Sequence, residues 1–128
     1  MSDATKSKPV IMLLEDEADL SKVICTTLEQ EFEIVAVTTA EAARETLATR
    51  RFDALVCDHN LPGKMQGLDF LIEALKVQPD ARRILLTGFI NPDMMANLET
   101  VAKLSACLAK PLHIARLRQA LRDAIGQR

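Results

Sequence analysis

Tryptophan and tyrosine are absent and phenylalanine occurs only four times in 128 residues. That scarcity removes the stacked aromatic platforms used by single-stranded nucleic acid binders and the cages that hold quaternary ammonium groups. Charge of one sign is lacking too: 16 basic against 18 acidic side chains leave a net −2. Such a balance gives no general electrostatic grip on nucleic acid or an anionic membrane. The three cysteines, Cys25, Cys57 and Cys107, are widely spaced with no CxxC pair, which argues against a disulfide framework and a structural zinc site. No apolar run exceeds Val10 to Leu14, far short of the ~20 residues of a membrane span. Residues 1–8 form a polar tail rather than an apolar leader. The expectation is a cytoplasmic protein of a reducing compartment, with no direct nucleic acid partner and no membrane insertion.

What is present is a globular composition, 48% apolar and 27% charged, of a length that fits one domain, expected over residues 9–128. Val10-Ile11-Met12-Leu13-Leu14 is continuously apolar and breaks into Glu15-Asp16-Glu17, the pattern of a strand covered on both faces. Leu20, Val23, Ile24, Thr27 and Leu28 then recur at helical spacing. A second strand, Ile34 to Val37, leads into a helix from about Ala40 to Arg50, with Thr38 and Glu41 as a capping box. Ala54 to Cys57 is a third buried strand ending in Asp58, before a loop of turn formers, Asn60, Pro62, Gly63 and Gly67. Leu68, Leu71, Ile72 and Leu75 mark a third helix, and Ile84 to Leu86 a fourth strand ending at Thr87-Gly88. Asn91-Pro92 opens a fourth helix with Met94, Met95, Leu98, Val101 and Ala102 inward. A short fifth strand, Ala106 to Ala109, and Lys110-Pro111 precede a fifth helix with Ile114, Leu117, Leu121 and Ile125 on one face and Gly126 as its stop. Five strands alternating with five helices call for an α/β fold, a parallel sheet doubly wound with helices, joined by right-handed crossovers.

In such sheets the site lies outside the carboxyl ends of the strands. Those ends carry Glu15 and Asp16, Asp58, Thr87, and Lys110. Three clustered carboxylates repel one another and raise each other's pKa, so a site that keeps them ionised needs a cation. A hard, oxygen-ligated ion such as Mg²⁺ suits them, with Mn²⁺ as a substitute. One carboxylate can then attack a phosphoryl group while Lys110, the Thr87 hydroxyl and backbone amides near Gly88 hold its oxygens.

The stretches LLEDE at 13–17, CDHNLPG at 57–63, LLTG at 85–88 and AKP at 109–111 together resemble the receiver domain of bacterial two-component response regulators, of the chemotaxis-regulator type. The resemblance implies a flavodoxin-like receiver fold with strand order 2-1-3-4-5. It implies that Asp58 is the phosphoacceptor, Asp16 a direct Mg²⁺ ligand, Glu15 a ligand through water and Asn60 a ligand through its backbone carbonyl. Thr87 and Lys110 become the phosphoryl partners, and a cis peptide before Pro111 would aim Lys110 into the site. A sensor histidine kinase or phosphotransfer protein is the implied donor. An altered face of the fourth helix, fifth strand and fifth helix would change the binding of a downstream protein, with no output domain in these residues and no enzymatic role beyond phosphoryl uptake and hydrolysis at Asp58.

Three departures stand out. The family's switch aromatic falls on Cys107, whose small side chain cannot swing as a ring. The loop between Pro62 and Gly67 is one residue longer than usual. The positions that tune phosphoryl lifetime are Asn60 and Phe89; Phe89 either restricts the attacking water or merely covers the site.

Simpler readings exist for single residues. Asp16 and Glu17 open a helix, where negative charge is favoured anyway. The cysteines suit small core positions, and a Cys57–His59 nucleophile pair has little support because alternate residues on a strand end need not meet. His59 and His113 lack ligand spacing and are expected to be exposed. Arg116, Arg118, Arg122 and Arg128 make the last helix basic, a solvated face first and a docking face second. A phosphohydrolase of the haloacid-dehalogenase type is the enzymatic alternative, weakened because Asn60 stands where its second acid belongs. A receiver-like interaction module that is never phosphorylated is the third reading.

Overall fold

The computed structural model describes residues 8–88, 96 and 102–126. Five strands, β1 (Val10–Leu14), β2 (Glu33–Val37), β3 (Ala54–Asp58), β4 (Arg82–Thr87) and β5 (Ala106–Ala109), alternate with helices α1 (Ala18–Leu28), α2 (Ala40–Thr49), α3 (Gly67–Val77) and, after β5, α4 (Ile114–Gly126). The sheet is parallel throughout, in the order β2-β1-β3-β4-β5. Of the expected fourth helix, which opens at Asn91-Pro92, Met94, Met95, Leu98 and Val101 lie outside the described residues, as does Phe89, while Ala102 is buried as expected.

The inner strands β1, β3 and β4 are apolar on both faces through their middles because both faces are covered. Met12, Leu14, Leu55, Cys57 and Leu85 pack under α2 and α3 with Ala43, Leu47, Phe70, Leu71 and Ala74. Ile11, Leu13, Ala54, Val56, Ile84 and Leu86 pack under α1 and α4 with Ile24, Leu28, Leu117 and Leu121. The period-2 alternation of a strand sorts these two sets. Followed to the last residues of β3 and β4 and one residue past β1 and β3, it sends Glu15 and Asp58 toward the α1/α4 side, and His59 and Thr87 toward the α2/α3 side.

The helix starts differ from expectation in one place. Thr39, not Thr38, caps α2: its extended backbone lets Oγ1 accept from the Ala42 N–H at 3.1 Å. Glu41 then lies one position too early in the helix to close the expected box. Val23, placed by its spacing on the apolar face of α1, is 50% exposed; the buried stripe narrows to Ile24 and Leu28, with Leu20 packed beside it. On α4, Arg118 and Arg122 pair with Glu31, the closest contact being 2.6 Å from Arg122 Nε. That ties α4 to the α1–β2 turn and leaves less of its basic face for docking than the sequence suggested.

Candidate functional site

The carboxyl ends of β1, β3 and β5 bring together Glu15, Asp16, Asp58 and Lys110. One carboxylate oxygen from each of the three acids lies within 4.8 Å of the others. Glu15 is fully buried and Asp58 is 3% exposed, while Asp16 faces solvent. Glu15 directly follows β1 and is enclosed with it, while Asp16 lies one residue further out at the rim. Lys110 Nζ stands 3.1 Å from Asp58 Oδ2 and 3.5 Å from Glu15 Oε1. The peptide before Pro111 is cis.

The electrostatics follow from that crowding. Burial pushes the Glu15 carboxyl above its ordinary pKa, and the charge of Asp58 adds to this, against the Glu17 N–H that donates to Oε2 at 3.0 Å and the nearby Lys110. Burial alone would lower the Lys110 pKa, but its hydrogen bond to Asp58 and the charges of Asp58 and Glu15 outweigh it and the net shift is upward. One ammonium therefore faces three carboxylates. The remaining imbalance and the all-oxygen donor set fit a hard divalent cation such as Mg²⁺.

Thr87, 2% exposed, ends β4 beside this group, with its carbonyl accepting from the Lys110 N–H at 2.9 Å. Gly88 follows at the surface. The Asn60 N–H reaches Asp58 Oδ1 at 3.3 Å, closing a tight turn after β3. Gln66 braces the rest of the loop: its Oε1 accepts from the Leu61 N–H at 3.1 Å and its Nε2 donates to the Leu61 carbonyl at 3.3 Å.

Two residues of the site were underrated by the sequence. Gly67, read only as a turn former, opens α3 so close to the end of β3 that an added Cβ would lie 2.0 Å from the Asp58 carbonyl oxygen. A glycine closing the loop that follows a strand-ending acid was the available signal. His59, expected to be exposed, is half-buried with its Nδ1 fully enclosed and unpaired; strand alternation puts it inward once β3 ends at Asp58. Cys57 is buried in the core, and burial with the neighbouring Asp58 charge pushes its thiol well up, so it is no nucleophile at neutral pH. Cys107 is half-buried on β5.

The profile of the family described as the response regulator receiver domain matches residues 11–122. The chain belongs to that family, the receiver domains of two-component signal transduction. Among curated relatives, the response regulator receiver protein CpdR of Brucella abortus is 30% identical over 109 residues, covering 81% of this chain and 86% of that protein. The hydrogenase transcriptional regulatory protein HoxA of Cupriavidus necator is 28% identical over 93 residues, 73% of this chain, and the match spans only 18% of its length. In fold, a CheY-like receiver domain protein from Methanospirillum hungatei superposes with a TM-score of 0.86 at 21% identity, covering 94% of this chain and 96% of that one. Among the described residues no helix is long and apolar enough to cross a membrane.

Proposed function

We propose that this receiver takes up a phosphoryl group on Asp58 from a cytoplasmic sensor histidine kinase or phosphotransfer protein, and that the change is read by a downstream protein on the face of the fourth expected helix, β5 and α4. The observation that carries this reading is the buried Asp58 carboxylate, 3.1 Å from the Lys110 ammonium inside a three-acid cluster. Asp16 and Asp58, Glu15 through water, and the Asn60 carbonyl are the groups that would hold Mg²⁺. When bound, the cation neutralises charge between the acceptor and the phosphoryl oxygens.

An Asp58 oxygen attacks phosphorus as the bond from phosphorus to the donor nitrogen breaks, and the donor imidazole keeps that electron pair. Lys110 meets the charge on the transferred oxygens as a compact cation. The Thr87 hydroxyl and the Gly88 N–H donate to them. Attack by water on phosphorus later returns the carboxylate and releases phosphate. The chemistry serves signalling and consumes one phosphoryl per activation.

Incubation with Mg²⁺ and acetyl phosphate, followed by intact-mass measurement, tests the assignment. A labile phosphoryl adduct on the wild type that requires Mg²⁺ and is missing from Asp58→Ala is expected. An adduct of equal yield on Asp58→Ala contradicts it. No adduct on the wild type, under conditions that label a control receiver, favours a module that works unphosphorylated.

A further inference from the structure

Among the described residues, His59 Nδ1 is the buried side-chain polar atom with no hydrogen-bond partner. Folded proteins rarely leave such an atom unpaired, and one beside a reactive carboxylate marks a place where a partner arrives in another state. The residue's backbone is fixed on both sides. Its N–H donates to the Leu86 carbonyl at 2.8 Å and its carbonyl accepts from the Gly67 N–H at 3.0 Å. The absent Cβ of Gly67 lets α3 close to within 3.0 Å of the His59 Cα.

The pairing of Asp58 with Leu86, carried one residue further by that bond to the Leu86 carbonyl, sets His59 beside Thr87. Alternation sends both side chains to the same side of the sheet. A threonine hydroxyl offers one donor and two acceptor sites, so while its O–H points at one acceptor its oxygen still accepts an N–H. Cys107, on the neighbouring edge strand and paired with Leu85, is too small to supply a ring on this side.

Resting on the phosphoacceptor reading, we infer that His59 is a positioning residue for the phosphoryl group. In the loaded state its Nδ1–H donates to Thr87 Oγ1 while the Thr87 hydroxyl donates to a phosphoryl oxygen. The imidazole just past β3 thereby reports the state of Asp58 to the α2/α3 side, where residue 107 provides no ring. The chain Asp58 phosphoryl, Thr87, His59 is a hydrogen-bonded relay in which each group uses a site the other leaves open.

The test uses the wild-type chain labelled uniformly with ¹⁵N, with Mg²⁺ and beryllofluoride as the phosphoryl analogue. Long-range ¹H–¹⁵N spectra should show the His59 Nδ1 resonance moving on addition, the exposed His113 staying in place, and the movement disappearing in Thr87→Val. His59→Leu should weaken beryllofluoride binding about threefold to tenfold, the size of one neutral hydrogen bond. His59→Asn, which keeps an N–H donor, should stay within about twofold. Added to Thr87→Val, His59→Leu should have no further effect, because the two act through one bond. An unmoved Nδ1 resonance while the Gly88 amide responds overturns the inference and leaves the phosphoacceptor reading intact. A Gly88 amide that also ignores the analogue removes both.

Discussion

Both ends of the sheet bury polar groups, and they treat them in opposite ways. At the amino end every such group among the described residues is answered. Gln78 accepts from the Phe52 N–H at 2.9 Å and donates to the Leu47 and Arg50 carbonyls at 3.0 and 2.6 Å. Arg83, 5% exposed, places its guanidinium among the carbonyls of Pro79, Ala81, Ala102 and Lys103; burial lowers its pKa without a carboxylate to offset it. Asp53 Oδ2 accepts from the Val10 N–H at 2.7 Å, starting β1. At the carboxyl end three carboxylates meet one ammonium, and His59 Nδ1 meets nothing. Satisfied polar groups hold the fold, while unsatisfied ones store free energy that a ligand can release.

Substitutions should separate the two ends. Gly67→Ala should blur them most, since its Cβ would strike the Asp58 backbone: a loss of about 3–5 kcal/mol in urea unfolding, with a lower yield of acetyl phosphate adduct in whatever folds. Gln78→Leu leaves a buried N–H and two carbonyls unpaired and should cost about 2–4 kcal/mol, with the adduct yield per folded molecule unchanged. Arg83→Met should cost about 1–3 kcal/mol by the same assay, because its carbonyls keep part of their bonding elsewhere; a larger loss of adduct than of stability would show that the amino end reaches the site. The smallest effect is at Glu31, whose carboxyl the Arg122 hydrogen bond and charge hold below its ordinary pKa. A lowered folded value means the pair stabilises above the unfolded pKa of about 4.3 and loses that as pH falls through the folded value. Thermal melts of Glu31→Gln against wild type should therefore differ slightly at pH 7 and converge in acid.

The contrast also explains what the sequence disclosed. The apolar runs of β1, β3 and β4 each stop at the polar residue the site uses, because a strand covered on both faces admits polar side chains only at its end; Glu15, Asp58 and Thr87 were readable for that reason. Lys110 was readable from its place after the fifth run. Gln78 and Arg83 were not: the side-chain partners of Gln78 are 26 to 31 residues away, and Arg82-Arg83 at a strand start looks like an ordinary solvated flank. Thr38 and Thr39 are chemically equal as caps, so only the backbone conformation chooses between them. His59 was misplaced because the run was taken to end with Cys57 and the residues after it as loop, whereas β3 includes Asp58 and its alternation continues.

The carboxyl end carries an uncompensated charge cluster whose donor set fits a cation. The most direct measurement is the melting temperature of the wild type and Asp58→Asn as Mg²⁺ is added. Binding that favours the folded state adds about 1.4 kcal/mol at ten times Kd, roughly 5 °C for a domain of this size. Such a rise is expected for the wild type, with a variant that melts no lower than the wild type without Mg²⁺ and responds little to it. A wild type indifferent to Mg²⁺, or a variant that responds equally, would contradict it.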